Sequence, residues 1–152
     1  MKTICLCSSA SFYKDVLAIE EQLKAAGYEA LIPSTANRMK QNNDFTVERY
    51  KTWLANEQDY HKKKALMDEH FAKVMAADAI LMVNLEKNGI AGYIGGNGLM
   101  EMVIAYHYKK PIYIWNEVGG THPFEEEIKG MGAIPIHQDI AKLGVITSCL
   151  ST

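Results

Sequence analysis

Positive charge is scarce: sixteen Lys and Arg face eighteen Asp and Glu, giving a net charge of −2 and a pI of about 6.2. The chain therefore lacks the basic field that a phosphate-backbone binder needs, and nucleic acid is not an expected partner. Long apolar runs are missing too. No stretch approaches the ~20 apolar residues of a membrane helix, so no membrane association is expected. The opening Met1-Lys2-Thr3-Ile4-Cys5-Leu6-Cys7 reaches Ser8 and Ser9 too soon to form the apolar region of a signal peptide. The expected location is the cytoplasm. Cysteine is limited to Cys5, Cys7 and Cys149, an odd set without metal-ligand spacing, which fits reduced thiols. Cys5 and Cys7 fall on one strand and are expected to point to opposite faces, making them poor disulfide partners. His61, His70, His107, His122 and His137 show no ligand spacing either, so neither a metal site nor a cofactor is expected.

What the chain does have is an ordinary globular balance, 48% hydrophobic and 22% charged over 152 residues, enough for a single domain spanning residues 1–152 with a substantial core. Thr3–Cys7 reads as a short buried strand ending in the polar turn Ser8-Ser9-Ala10-Ser11. A helix follows, with Val16, Ile19, Leu23 and Ala26 on one stripe and Gly27 to end it. Glu29–Ile32 makes a second strand before Pro33. This βαβ opening implies parallel strands. Residues 34–46 read as polar loop, and Val47–Ala76 as one helix or two, with Lys62, Lys63 and Lys64 on a solvated face. Ala79–Val83 is apolar throughout, as a central strand covered on both faces should be. A helix is predicted from about Leu99 to Lys110, a fourth strand over Ile112–Trp115, and a short helical piece near Phe124–Lys129. Ala133–His137 forms a fifth strand, placed at an edge by Pro135.

Alternation of this kind predicts a doubly wound, Rossmann- or flavodoxin-like α/β fold: five strands, mainly parallel, with helices on both faces. In strand order 2-1-3-4-5 the switch point falls between strands 1 and 3, and ligands in such sheets lie beyond the strands' carboxyl ends there. The loops at that crevice are Ser8–Ser11 and Asn84–Gly98.

Five glycines crowd the segment Glu86–Gly98. In Gly92-Tyr93-Ile94-Gly95-Gly96-Asn97-Gly98-Leu99-Met100-Glu101, backbone amides and a helix start suit a phosphate or a ribose hydroxyl; a plain flexible turn is the bland alternative. The one basic residue nearby is Lys87, far from the helix start, so an anion at Gly95–Gly98 is expected to rely on N–H groups and the helix dipole. Glu101 is placed in the first turn of that helix, where the dipole favours the ionised carboxylate. Such a carboxylate can attack an anomeric carbon or steady an oxocarbenium-like transition state. Ser8, Ser9 and Ser11 are further candidates for phosphate binding, Ser11 doubling as a natural N-cap. Asn84 and Tyr93 complete the candidate substrate set with Gly95, Gly96, Asn97 and Gly98. His70 is a candidate proton donor, and Asp78 a structural tie.

These features resemble the nucleoside 2-deoxyribosyltransferase superfamily, which includes deoxynucleoside monophosphate N-glycosidases. The resemblance runs from Ile4 to about Trp115. It rests on the Ser-rich turn after the first strand, on Ala77-Asp78-Ala79-Ile80-Leu81, and on Gly95 to Glu101 leading to Ala105 and Lys110-Pro111-Ile112. It is nearest to a branch marked by Gly92-Tyr93-Ile94-Gly95-Gly96. It implies cleavage or transfer at an N-glycosidic bond of a nucleoside or nucleotide, Glu101 as nucleophile, and a homo-oligomer, with Tyr106, Tyr108 and Trp115 either lining its interface or serving as core. Three of the family's catalytic positions differ here: its strand-1 tyrosine is matched by Cys5, its helix aspartate by His70, and the residue six before the nucleophile by Gly95. The loop Gly95–Glu101 is also similar to the GGxGTxxE loop of cytokinin-activating phosphoribohydrolases, without the threonine and one residue short. A non-catalytic nucleotide sensor is the alternative from another class.

Overall fold

A computed structural model describes residues 2–144, and Cys149 lies outside them. Five strands form one sheet: β1 (Thr3–Cys7), β2 (Glu29–Leu31), β3 (Ala79–Met82), β4 (Ile112–Ile114) and β5 (Ile134–Pro135). Their order is β2-β1-β3-β4-β5 and every pairing is parallel. The expected doubly wound fold is therefore present. Pro135 sits in an edge strand, where its missing N–H costs no ladder bond.

The helices are α1 (Tyr13–Ala25), α2 (Ser34–Asn42), α3 (Tyr60–Ala76), α4 (Gly96–His107) and α5 (Glu125–Gly130). On one face of the sheet Ile4, Leu6, Leu81, Val83 and Tyr113 pack against Val16, Ile19 and Leu23 of α1 and Ala36 of α2. On the other, Cys5, Cys7, Ile80, Met82, Ile112 and Ile114 meet Val74 of α3, Met102 and Ala105 of α4 and Ile128 of α5. Cys5 and Cys7 thus share a face, against the expectation. Residues two apart on a pleated strand must do so, because side chains alternate with a period of two.

Three local expectations also fail. Residues 34–42 are helical, and their apolar face is hard to read because only Thr35, Ala36 and Met39 are buried. Residues 47–59 are three short 3₁₀ turns rather than α-helix, and regular helix begins at Tyr60. Helix α4 begins at Gly96, three residues before the expected Leu99. Gly98 belongs in its first turn because a Cβ there would lie 2.7 Å from Met82 Cε, so the bare backbone lets the helix press on β3.

Asp78 is structural as expected, although it ties the start of β1 and not the turn after α3: its Oδ2 accepts from the Lys2 and Thr3 N–H groups, each at 2.9 Å. Among the described residues no helix is long and apolar enough to cross a membrane.

Candidate functional site

Beyond the carboxyl ends of β1 and β3 lie two adjoining cavities. One is bounded by Pro33, Met39, Val47, Tyr50, Trp53, Leu66 and Met67, with His70 and Glu101 also on its wall. The other is bounded by Ser8, Ser9, Lys51, Lys87, Tyr93, Gly95, Gly96 and Gly98. Ala10, Tyr13, Lys51, Lys63 and Asn97 line both. The structure therefore gathers most of the candidate residues around one crevice, an apolar, aromatic compartment adjoining a polar one.

Glu101 is the sixth residue of α4, in its second turn, and is buried. The dipole effect fades beyond the first turn, so the expected ionising influence is replaced by its opposite. Burial raises the Glu101 pKa to about 7, held back by the charge of His70 and a contact with the Cys7 thiol. His70 Nε2 lies 3.9 Å from Glu101 Oε1 and 3.6 Å from Cys5 Sγ. Burial alone would lower the His70 pKa, but the Cys5 contact and the charges of Glu101 and Cys5 outweigh it and raise the value. The Cys5 thiol is brought down to about 6, first by its contact with Cys7, then by His70, against the effect of burial. Cys7 moves up, through burial and the neighbouring Cys5. Tyr13 moves up as well, through burial and the charge of Glu101. Two of the positions that depart from the family pattern, Cys5 and His70, therefore meet beside the glutamate. The third, Gly95, lines the polar cavity.

The polar cavity is more basic than expected. Lys51, Lys63 and Lys87 come from a 3₁₀ turn region, from α3 and from the glycine-rich loop, and all three reach it. Lys87 Nζ donates to Ser9 Oγ at 3.0 Å and stands 5.1 Å from the Tyr93 ring centre. Its backbone is fixed by a tight turn through Asn88 and Gly89, both at positive φ, closed by a Lys87–Ile90 bridge. Burial lowers the Lys51 pKa and the charge of Lys87 adds to the effect; Lys63 is lowered by burial and by Lys51. An anion in this cavity would thus have lysines beside it as well as the backbone N–H groups expected from the sequence. Of the triplet read as solvated, Lys62 and Lys64 do pair at the surface with Asp59 and Asp68. Lys63 turns inward, 5.6 Å from the centre of the Trp53 ring.

Not every candidate joins the crevice. Ser11 is exposed within a 3₁₀ turn over Ala10–Phe12 and does not cap α1. Asn84 is fully buried and lines neither cavity. Its side chain donates to Gly92 O (3.2 Å) and Asn116 O (2.8 Å) and accepts from Asn116 N (2.9 Å). It is a strut that joins the ends of β3 and β4 and suspends the glycine-rich loop. Gly92 below it has φ +66°, and a Cβ there would strike the Glu117 carbonyl. Ser8 is buried with its hydroxyl donated to Ser9 O at 2.9 Å.

The residues overlooked in the sequence carried a signal. Lys63, Leu66 and Met67 follow, with the already named His70, the i, i+3, i+4, i+7 spacing of one helix face, and all four line the apolar cavity. Trp53, Tyr13 and Lys51 offered no comparable pattern. Compared with known proteins, the chain matches no family model, no curated protein and no solved structure.

Proposed function

We propose that the protein cleaves or transfers at the N-glycosidic bond of a nucleoside 5′-monophosphate, with Glu101 as nucleophile. The observation that carries this reading is the position of Glu101, on the wall of an aromatic cavity and one helical turn from Asn97, which also faces the Gly/Ser/Lys cavity. The compartments differ in lining, apolar and aromatic on the Trp53 side and rich in lysine, serine and glycine on the other. A flat base suits the first, a hydrated phosphate the second, and the sugar between them brings its anomeric carbon toward Glu101. The ionised carboxylate attacks that carbon as the bond to the base breaks, the base leaves with the bonding pair, and water or a second base then releases the sugar. His70 is a proton source beside the carboxylate, and Tyr13 lines the path between the two compartments. The three lysines favour a monophosphate over the unphosphorylated nucleoside.

The test is release of free base from a panel of ribo- and deoxyribonucleoside monophosphates, followed by chromatography. Glu101→Gln should abolish release while retaining ligand binding. Replacing His70 with Ala should slow release by about 10²–10⁴-fold, the usual reach of general acid–base help. Wild-type rates in Glu101→Gln overturn the mechanism. Tight binding of a monophosphate without any release of base by the wild-type chain points instead to a nucleotide sensor.

A further inference from the structure

Beneath the apolar cavity lies a cluster that the glycosidic reading uses only in part. Cys5 Sγ, Cys7 Sγ and one His70 ring nitrogen all lie within 4.8 Å of one another, and all three residues are buried. The Glu101 carboxylate stands next to this trio, 3.9 Å from His70 Nε2, but outside the 4.8 Å cluster. Two further atoms, His70 Nδ1 and Glu101 Oε2, are buried without a hydrogen-bond partner, and an ion held by His70 Nε2 would satisfy the second of them. Such orphaned groups in a folded interior call for a specific explanation.

We propose that Cys5, Cys7, His70 and Glu101 form a tetrahedral zinc site. Two thiolates and an imidazole are the donors that zinc prefers, and a carboxylate oxygen completes the set within its usual range. For one pair the geometry is close to what the ion requires. Bonds of about 2.3 Å to sulfur and 2.0–2.1 Å to nitrogen place those two ligands about 3.5 Å apart in a tetrahedron, and Cys5 Sγ and His70 Nε2 stand 3.6 Å apart. Cys5, Cys7 and His70, from β1 and α3, are already gathered, and the Glu101 side chain on α4 turns toward them to become the fourth ligand. His70 and Glu101 line the apolar cavity and give the ion a route in, while the thiols wait behind them. On binding, any proton on the two thiols passes to solvent, so affinity rises with pH. An ion held here also occupies the Glu101 carboxylate, and metal loading and attack by Glu101 exclude each other. The site does not depend on the glycosidic reading, because its test does not involve turnover.

The experiment uses the full chain stripped with a chelator and titrated with Co²⁺ as a spectroscopic stand-in, then with Zn²⁺ against a chromophoric competitor. The background is Cys149→Ser, so that Cys5 and Cys7 are its only sulfhydryls. The expected result is one Co²⁺ per chain, with thiolate-to-cobalt charge-transfer absorption in the near ultraviolet and displacement by Zn²⁺. Adding Cys5→Ser and Cys7→Ser together should remove that absorption. Glu101→Gln should keep it while weakening Zn²⁺ binding by at least the ~10–100-fold that losing a supporting contact costs. No charge-transfer band in the Cys149→Ser chain overturns the proposal, as does a band that survives loss of both remaining cysteines. If the triple variant fails to fold by circular dichroism, the Cys149→Ser titration decides alone.

Discussion

The two faces of the sheet put the same strands to opposite uses. From β1, Ile4 and Leu6 enter a layer packed by Val16, Ile19 and Leu23 of α1. Cys5 and Cys7 enter a layer that also holds His70 and Glu101. The first face gains from dry packing. The second carries buried ionisable groups whose desolvation costs stability, and the chemistry proposed for the protein resides there. One strand thus divides stability from function by the alternation of its side chains.

The largest expected effect that tests this contrast is on the dry face. Leu6→Ala should lower unfolding stability by roughly 3–4 kcal/mol, a lost side chain plus a cavity that close packing cannot refill. Cys7→Ala on the opposite face should cost only about 1 kcal/mol, the worth of one small apolar group. Urea denaturation of both variants checks the pair, and equal losses would erase the distinction.

Next in size is the cost of the buried carboxylate. The folded-state pKa of Glu101 is raised to about 7, so the native protein holds the proton more tightly than the unfolded chain does. Stability is therefore lost as pH rises from the ordinary carboxylate range through about 7. Glu101→Gln removes that loss. It should stabilise the protein by on the order of 2–3 kcal/mol at pH 8 and by little near pH 4. A variant less stable than wild type at pH 8 would mean that the contacts with His70 and Cys7 outweigh burial.

A smaller effect sharpens the contrast within the site. Lys87→Ala should weaken binding of a nucleoside monophosphate by about tenfold at low salt, with the difference shrinking as salt screens the partly exposed ammonium. The corresponding nucleoside should be unaffected. Calorimetry with both ligands gives the answer, and equal losses would remove the phosphate from this cavity. The smallest effect belongs to the exposed Asp78. Its pKa is lowered by the Lys2 and Thr3 N–H groups, so its contribution is present above the ordinary carboxylate range and fades as pH falls through the lowered value. Asp78→Asn should therefore reduce the melting temperature slightly at pH 7 and not at pH 2.

The sequence made the strands legible because a strand covered on both faces reads as an unbroken apolar run, as Ala79–Val83 does. It hid α2, whose buried stripe is three residues wide, and the 3₁₀ turns before α3, where apolar spacing imitates an α-helix. In the site, Glu101 and the glycines were visible because they are contiguous. Lys51, Lys63 and Lys87 were not, because they meet only in three dimensions. The polarity of Glu101's surroundings was misjudged for a related reason. The helix begins early at Gly96, which carries the carboxylate out of the first turn and into the interior.

The meeting of those lysines has a consequence for the resting protein. Three ammonium groups from separate segments are held near one another, and burial together with mutual repulsion already depresses two of them. In the absence of an anion the fold bears that repulsion as internal pressure on the mouth of the crevice. On the proposed reading, an anion bound there would act as counter-ion and let the three segments settle together. By mass action, anything that binds the native state alone stabilises it. If the proposed phosphate site is real, the choice of buffer enters the stability of this protein as if it were part of the chain, and phosphate should rank above chloride at equal ionic strength.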